Sequence, residues 1–144
     1  MDAATTVGIP PISTEAAKLM LITREALEKG IKAMQPGNHL GDIGYAIEKH
    51  VKKNGFNIAR GLTGHGIGKR LHEDPPVLNV GRPGRGELLE SGVVLALEPM
   101  VTVGTSQIEQ LDDESYATKD GKLSAHFEHT VAVTKNGPKI LTTI

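Results

Sequence analysis

Three short segments carry side chains able to hold a metal ion or move a proton. The first is Gly64-His65-Gly66-Ile67-Gly68-Lys69-Arg70-Leu71-His72-Glu73-Asp74-Pro75, with two histidines on a glycine-rich, proline-ended stretch. It has neither a helical nor a strand period, so it reads as a loop. Glycine lets another chain segment or a ligand come close, and Pro75-Pro76 enforces an extended exit. Alone, the segment reads equally well as a surface loop with incidental histidines. The second is Val93-Val94-Leu95-Ala96-Leu97-Glu98-Pro99-Met100-Val101. Its five leading apolar residues read as a buried strand, and Glu98 follows them just before a proline. A carboxylate there is costly unless it is paired, protonated or bound to metal. The third is Leu123-Ser124-Ala125-His126-Phe127-Glu128-His129-Thr130-Val131-Ala132-Val133-Thr134. Strand alternation puts His126, Glu128 and Thr130 on one face and Phe127, His129, Val131 and Val133 on the other. Each glutamate alone fits a salt-bridged structural role as well as a ligand role. Together His65, Glu98 and Glu128 supply one imidazole and two carboxylates. That set suits a divalent transition metal of borderline softness.

The elements that must position these groups are two helices followed by strands. Ser13-Thr14 with Glu15 in the first turn opens a helix whose apolar stripe is Ala16, Leu19, Met20, Thr23, Ala26, Leu27, Ile31 and Met34. Pro36-Gly37 stops it. A second helix runs from about Leu40 to Lys53, with Leu40, Ile43, Ile47 and Val51 on one face and Asn54-Gly55 as its end. Glycine-proline loops and alternating strands follow. Residues 81–86 form a turn-rich connection, and Asp112-Asp113-Glu114 is a solvated turn. His39, at the helix start, and His50, on the second helix, read as surface residues.

Composition removes several function classes. The 144 residues contain no cysteine, which excludes a disulfide framework, thiolate ligands and a cysteine nucleophile. No stretch has the form of a signal peptide, and no apolar run nears the roughly 18 residues of a membrane span. The expected compartment is the cytoplasm. Net charge is −1, and the only aromatic residues are two tyrosines and two phenylalanines. Nucleic-acid binding wants a basic stripe or a stacking platform, and neither is present. Dinucleotide binding fails because Lys69 follows the glycines and no helix opens there. His72-Glu73 lacks the second histidine of a zincin helix, and His126-Phe127-Glu128 lacks the cysteine pair of a deaminase.

The order and spacing of Gly64-His65-Gly66-Ile67-Gly68, His72-Glu73-Asp74-Pro75, Glu98-Pro99-Met100-Val101 and Ser124-Ala125-His126-Phe127-Glu128-His129-Thr130-Val131 resemble the type I methionine aminopeptidases of the pita-bread metallopeptidases. Lys135-Asn136-Gly137 closes the last hairpin as in that family. Proline-directed relatives usually carry Glu-Pro-Gly and Glu-Asp at the two glutamate positions, and type II enzymes carry a helical insertion that has no room here. The resemblance implies an α+β fold, one half of the pita-bread, with two helices packed on a curved, mainly antiparallel sheet. It treats residues 1–144 as a single metallopeptidase domain, truncated at its N-terminus.

The implied activity is removal of the N-terminal methionine from nascent chains by metal-dependent hydrolysis. By resemblance Asp2, His65, Glu98 and Glu128 are metal ligands, Asp2 and Glu128 bridging the family's two ions. Glu98 is also the general base. His72 stabilises the tetrahedral intermediate or positions the peptide, and His65, His72 and Tyr116 line the substrate site. Tyr116 stands where the family often has tryptophan, and Leu71 where it often has phenylalanine. Asp2 matches the family's second aspartate ligand. The first aspartate and a substrate-proximal histidine belong to a half that precedes it in the family. The expectation is therefore one bound divalent ion, with manganese, iron, cobalt and zinc indistinguishable, and impaired turnover. A homodimer, or an added N-terminal half, would cover the exposed face. The competing reading is an inactive pita-bread remnant serving as a binding or structural module.

Overall fold

In the computed structural model, which describes residues 1–143, the chain runs β1 (Ala3–Ala4), α1 (Thr14–Ala33), α2 (Leu40–Lys53), β2 (Asn57–Ile58), β3 (Gly64–Gly66), β4 (Glu73–Val77), β5 (Val94–Leu97) and β6 (Met100–Thr102). It continues through β7 (Ile108–Gln110), β8 (Tyr116–Thr118), β9 (Ser124–His126), β10 (Glu128–Thr134) and β11 (Gly137–Ile140). The Ser13 side chain accepts a hydrogen bond from the Ala16 amide at 3.1 Å and so caps α1. The α1 stripe is wider than its period suggested. Ile22 is buried with Leu19, Ala26, Leu27 and Ile31, whereas Met20 is half-buried. The cause is a two-sided neighbourhood: α1 packs along α2 and also lies over β5, β6, β9 and β10. In α2 the expected face holds, with Ile43, Ile47 and Val51 fully buried.

Two histidines depart from the surface reading. His39 is half-buried, and its backbone N–H donates to the Asp42 carboxylate at 2.7 Å, fastening the start of α2. His50 is only 18% exposed at its side chain, and its Nε2 lies 2.9 Å from Glu25 Oε2. That pair ties α2 to α1 across 25 residues of sequence.

All strand pairs are antiparallel. The main sheet has the order β1-β10-β5-β3-β4, with β11 also on β10; β2-β6-β9 and β7-β8 form smaller sheets. Two local expectations need correction. The 64–75 segment is not a free loop, because β3 and β4 occupy its ends. Proline is tolerated in β4 because β4 is an edge strand. The 123–134 segment is not one strand either. It breaks at Phe127, opposite Pro99, which has no N–H to continue the ladder. The main sheet takes β5 and β10, and the smaller sheet takes β6 and β9.

Close backbone packing also sets the helix layer. A Cβ on Gly44 of α2 would land on the Val80 carbonyl oxygen. Helix propensity alone favours Gly44→Ala by about 1 kcal/mol. The packing reverses that sign, and we expect a net loss of roughly 1–3 kcal/mol, read as a lower urea midpoint.

Candidate metal centre

Strand register explains how distant residues meet. His129 pairs with Leu97 in one sheet and Met100 with His126 in the other, so the register is unchanged across the Glu98-Pro99 break. Glu98 therefore stands opposite Glu128. Alternation still places His126, Glu128 and Thr130 on one face despite the break. In the adjoining row His65 pairs with Ala96, and Ala96 pairs with Thr130. Asp2 completes that row. Its N–H donates to Thr130 Oγ1 at 2.7 Å, and Thr130 Oγ1 donates to the Asp2 carbonyl at 2.7 Å. The row thus has an acid at one end, an imidazole at the other, and a small methyl, Ala96, in its floor. Strand β3 can lie this close because a Cβ on Gly64 would overlap the Ala96 carbonyl.

One ligand atom each from His65, Glu98 and Glu128 lie within 4.8 Å of one another. The same holds for Asp2, His65 and His72. His65 is buried, and its Nδ1 lies 2.9 Å from the Gly66 carbonyl oxygen. A carbonyl only accepts, so the proton sits on Nδ1 and the Nε2 lone pair is free. That nitrogen is 3.6 Å from Glu98 Oε1. Fixing one ring nitrogen on a backbone carbonyl is how proteins orient metal-ligating histidines. His126, which sequence reasoning left out of the site, approaches the other Glu98 oxygen at 3.6 Å. The signal was its place one alternation step from Glu128.

Electrostatics set these groups apart. Burial pushes the Glu98 carboxyl up to about 7, with help from the charges of Glu128 and Asp2. Burial, then Asp2, pushes Glu128 up to about 7, while His65 opposes the shift. Burial holds His126 below its ordinary value, partly offset by Asp2. Glu128 Oε1 and His126 Nε2 are buried with no hydrogen-bond partner. A buried carboxylate oxygen without a donor is unfavourable, and a second carboxylate faces it. A divalent cation bound by oxygen and imidazole nitrogen resolves both problems, so the residues present fit a metal of the borderline class.

The remaining expected site residues sit around this cluster. Tyr116, about half exposed on β8, lines a cleft of about 490 Å³ with Glu98, Met100, Leu62 and His126. His72 is exposed on the 67–72 loop and meets Asp2 and His65 rather than Glu98. It opens on a separate cavity of about 330 Å³, shared with His65, Arg70 and Glu73.

A curled antiparallel sheet with two carboxylates and an imidazole at its seam is the arrangement of a metallopeptidase. The chain belongs to metallopeptidase family M24, whose pattern matches residues 1–135. It is 53% identical over 144 residues to a methionine aminopeptidase of Clostridium perfringens, covering 99% of this chain and 58% of that protein. The crystal structure of a methionine aminopeptidase from Rickettsia prowazekii superposes with a TM-score of 0.96 at 39% identity, over 99% of this chain and 58% of the other. The Thermotoga maritima structure also gives 0.96, at 43% identity, over 99% and 57%. The fold is the α+β pita-bread fold. The chain spans somewhat under three-fifths of the length of these relatives.

Proposed function

We propose that this chain takes part in metal-dependent removal of N-terminal methionine from peptides and nascent chains in the cytoplasm. The observation that carries the reading is Glu98 opposite Glu128, with His65 grouped beside both and its free Nε2 3.6 Å from Glu98. The names of its relatives supply the substrate class. Asp2, His65, Glu98 and Glu128 would hold the ion. When bound, a divalent ion lowers the pKa of water and polarises a carbonyl.

The chain's own groups do the rest. Glu98, poised near neutrality, accepts a proton from the attacking water and returns it to the leaving amine. His72, exposed on its loop, donates to the oxygen on which charge develops. Tyr116 and Met100 wall the cleft beside Glu98 and bound the side chain that enters it. The face along residues 4–8 and α1 carries a groove of about 680 Å³, and Val7 and Leu21 stay exposed beside it. A second copy, or a polypeptide supplying the rest of the relatives' length, would cover it. No helix among the described residues is long and apolar enough to cross a membrane.

The test is an assay of methionyl peptides with Mn²⁺, Co²⁺ or Zn²⁺. The 144-residue polypeptide alone should release methionine slowly or not at all, because loose positioning of reacting groups costs orders of magnitude in rate. Adding the remaining N-terminal region of the C. perfringens relative as a separate polypeptide should raise the rate. Glu98→Gln should then lower it by about 10²–10⁴-fold. No methionine release in the reconstituted mixture, despite metal binding, would refute the reading.

A further inference from the structure

His72 lies outside the ligand set proposed above, yet it is not isolated. Its ring centroid is 4.3 Å from that of His65, with the planes tilted by 56°. One ligand atom from each ring and one from Asp2 lie within 4.8 Å of one another. We propose that Asp2, His65 and His72 form a second divalent-cation site, which competes with the Glu98–Glu128 position for the Asp2 carboxylate and for the Nε2 of His65.

The competition follows from hydrogen bonding. His65 Nδ1 is committed to the Gly66 carbonyl, so only Nε2 can bind metal. An ion that takes it toward His72 removes it from the two glutamates. The donor sets differ in character: two imidazoles and one carboxylate on one side, one imidazole and three carboxylates on the other. Imidazole-rich sites favour nickel, copper and zinc, and oxygen-rich sites favour manganese.

The ligands are held from both directions. Thr130 Oγ1 pins the Asp2 backbone through two hydrogen bonds. Glu73 Oε1 accepts the Arg70 N–H at 2.8 Å and so braces the turn that carries His72. Ligand atoms around one ion are about 3–4 Å apart when each bond is about 2.1 Å. Rotation of the exposed His72 ring closes the remaining gap. The cavity of about 330 Å³ beside His65 and His72 gives the ion a way in. If the carboxylate centre is the catalytic one, as proposed above, filling this site inhibits by withdrawing His65 from the metal and His72 from the substrate.

The experiment is calorimetric titration of the metal-free 144-residue chain with Ni²⁺ and with Mn²⁺, alongside Mn²⁺ electron paramagnetic resonance. His72→Ala should weaken Ni²⁺ at least tenfold and change Mn²⁺ less than twofold. Glu128→Gln should weaken Mn²⁺ at least tenfold and spare Ni²⁺. Added Ni²⁺ should release Mn²⁺ and restore the free-ion spectrum. His72→Gln repeats the first arm with a polar side chain, and circular dichroism checks that each variant is folded. Unchanged Ni²⁺ affinity in both His72 variants overturns the site. Simultaneous binding of both ions without displacement overturns the shared nitrogen. Absence of Mn²⁺ binding, with Ni²⁺ still dependent on His72, would sink the carboxylate centre and leave the imidazole site standing.

Discussion

His65→Ala is expected to weaken Mn²⁺ and Ni²⁺ binding alike, by more than about 100-fold. His65 belongs to both ligand triplets, and it is the imidazole of the ligand set proposed for the carboxylate centre. Removing even a group that merely orients a ligand typically costs about 10–100-fold in affinity, so losing the ligand itself should exceed that. The fold should survive. His65 sits on β3 between β4 and β5, and its backbone pairing does not depend on the imidazole. Titration calorimetry on metal-free protein gives the answer directly. Affinity for both ions within threefold of the parent would place the metal elsewhere.

The second large effect is on stability in the absence of metal. Glu98 and Glu128 rise from an ordinary 4.5 to about 7 in the folded chain. A carboxyl with a raised folded value binds its proton more tightly when folded. Its stabilising contribution is fully present below pH 4.5, falls as the unfolded chain ionises first, and is gone above pH 7. With chelator present, the protein should therefore lose about 1–2 kcal/mol between pH 5 and pH 8 from this pair. That figure is discounted for their partial solvent access. A drop of several degrees in Tm corresponds to it. His126 works in the opposite direction, since its lowered value favours the folded state more as pH rises toward 6.5. Glu128→Gln isolates the carboxylates: it should flatten the profile and raise metal-free stability at pH 8. Mn²⁺ at pH 8 should restore the parent and do little for Glu128→Gln. A parent chain whose Tm climbs steadily from pH 5 to pH 8 in chelator would contradict the assignment.

Helix α2, expected from about Leu40 to Lys53, was legible because its apolar face is regular and Asn54-Gly55 ends it locally. Glu98 and Glu128 were legible because a carboxylate inside an apolar run has few inexpensive explanations. The pairings that complete the site were not. His126 reaches Glu98 only because β6 pairs with β9, a contact between segments more than twenty residues apart. His50 looked superficial because its partner, Glu25, lies on another helix. Ile22 fell outside a stripe that assumed one neighbour for α1, whereas the structure gives it two. In each case the deciding contact is non-local, and composition and periodicity report only local preference.

The unbroken register across the Glu98-Pro99 seam has a consequence for assembly of the chain. A slip of one residue between β5 and β10 would turn Glu128 to the opposite face and leave Glu98 facing Phe127 or His129 instead. Only one alignment of two segments thirty residues apart brings the carboxylates together. A divalent ion captured during folding therefore rewards that alignment alone, because ions binding the native state but not its alternatives shift the population toward it. A bound ion would then act as a proofreader of strand registry, and metal-free chains would lose that check on their alignment.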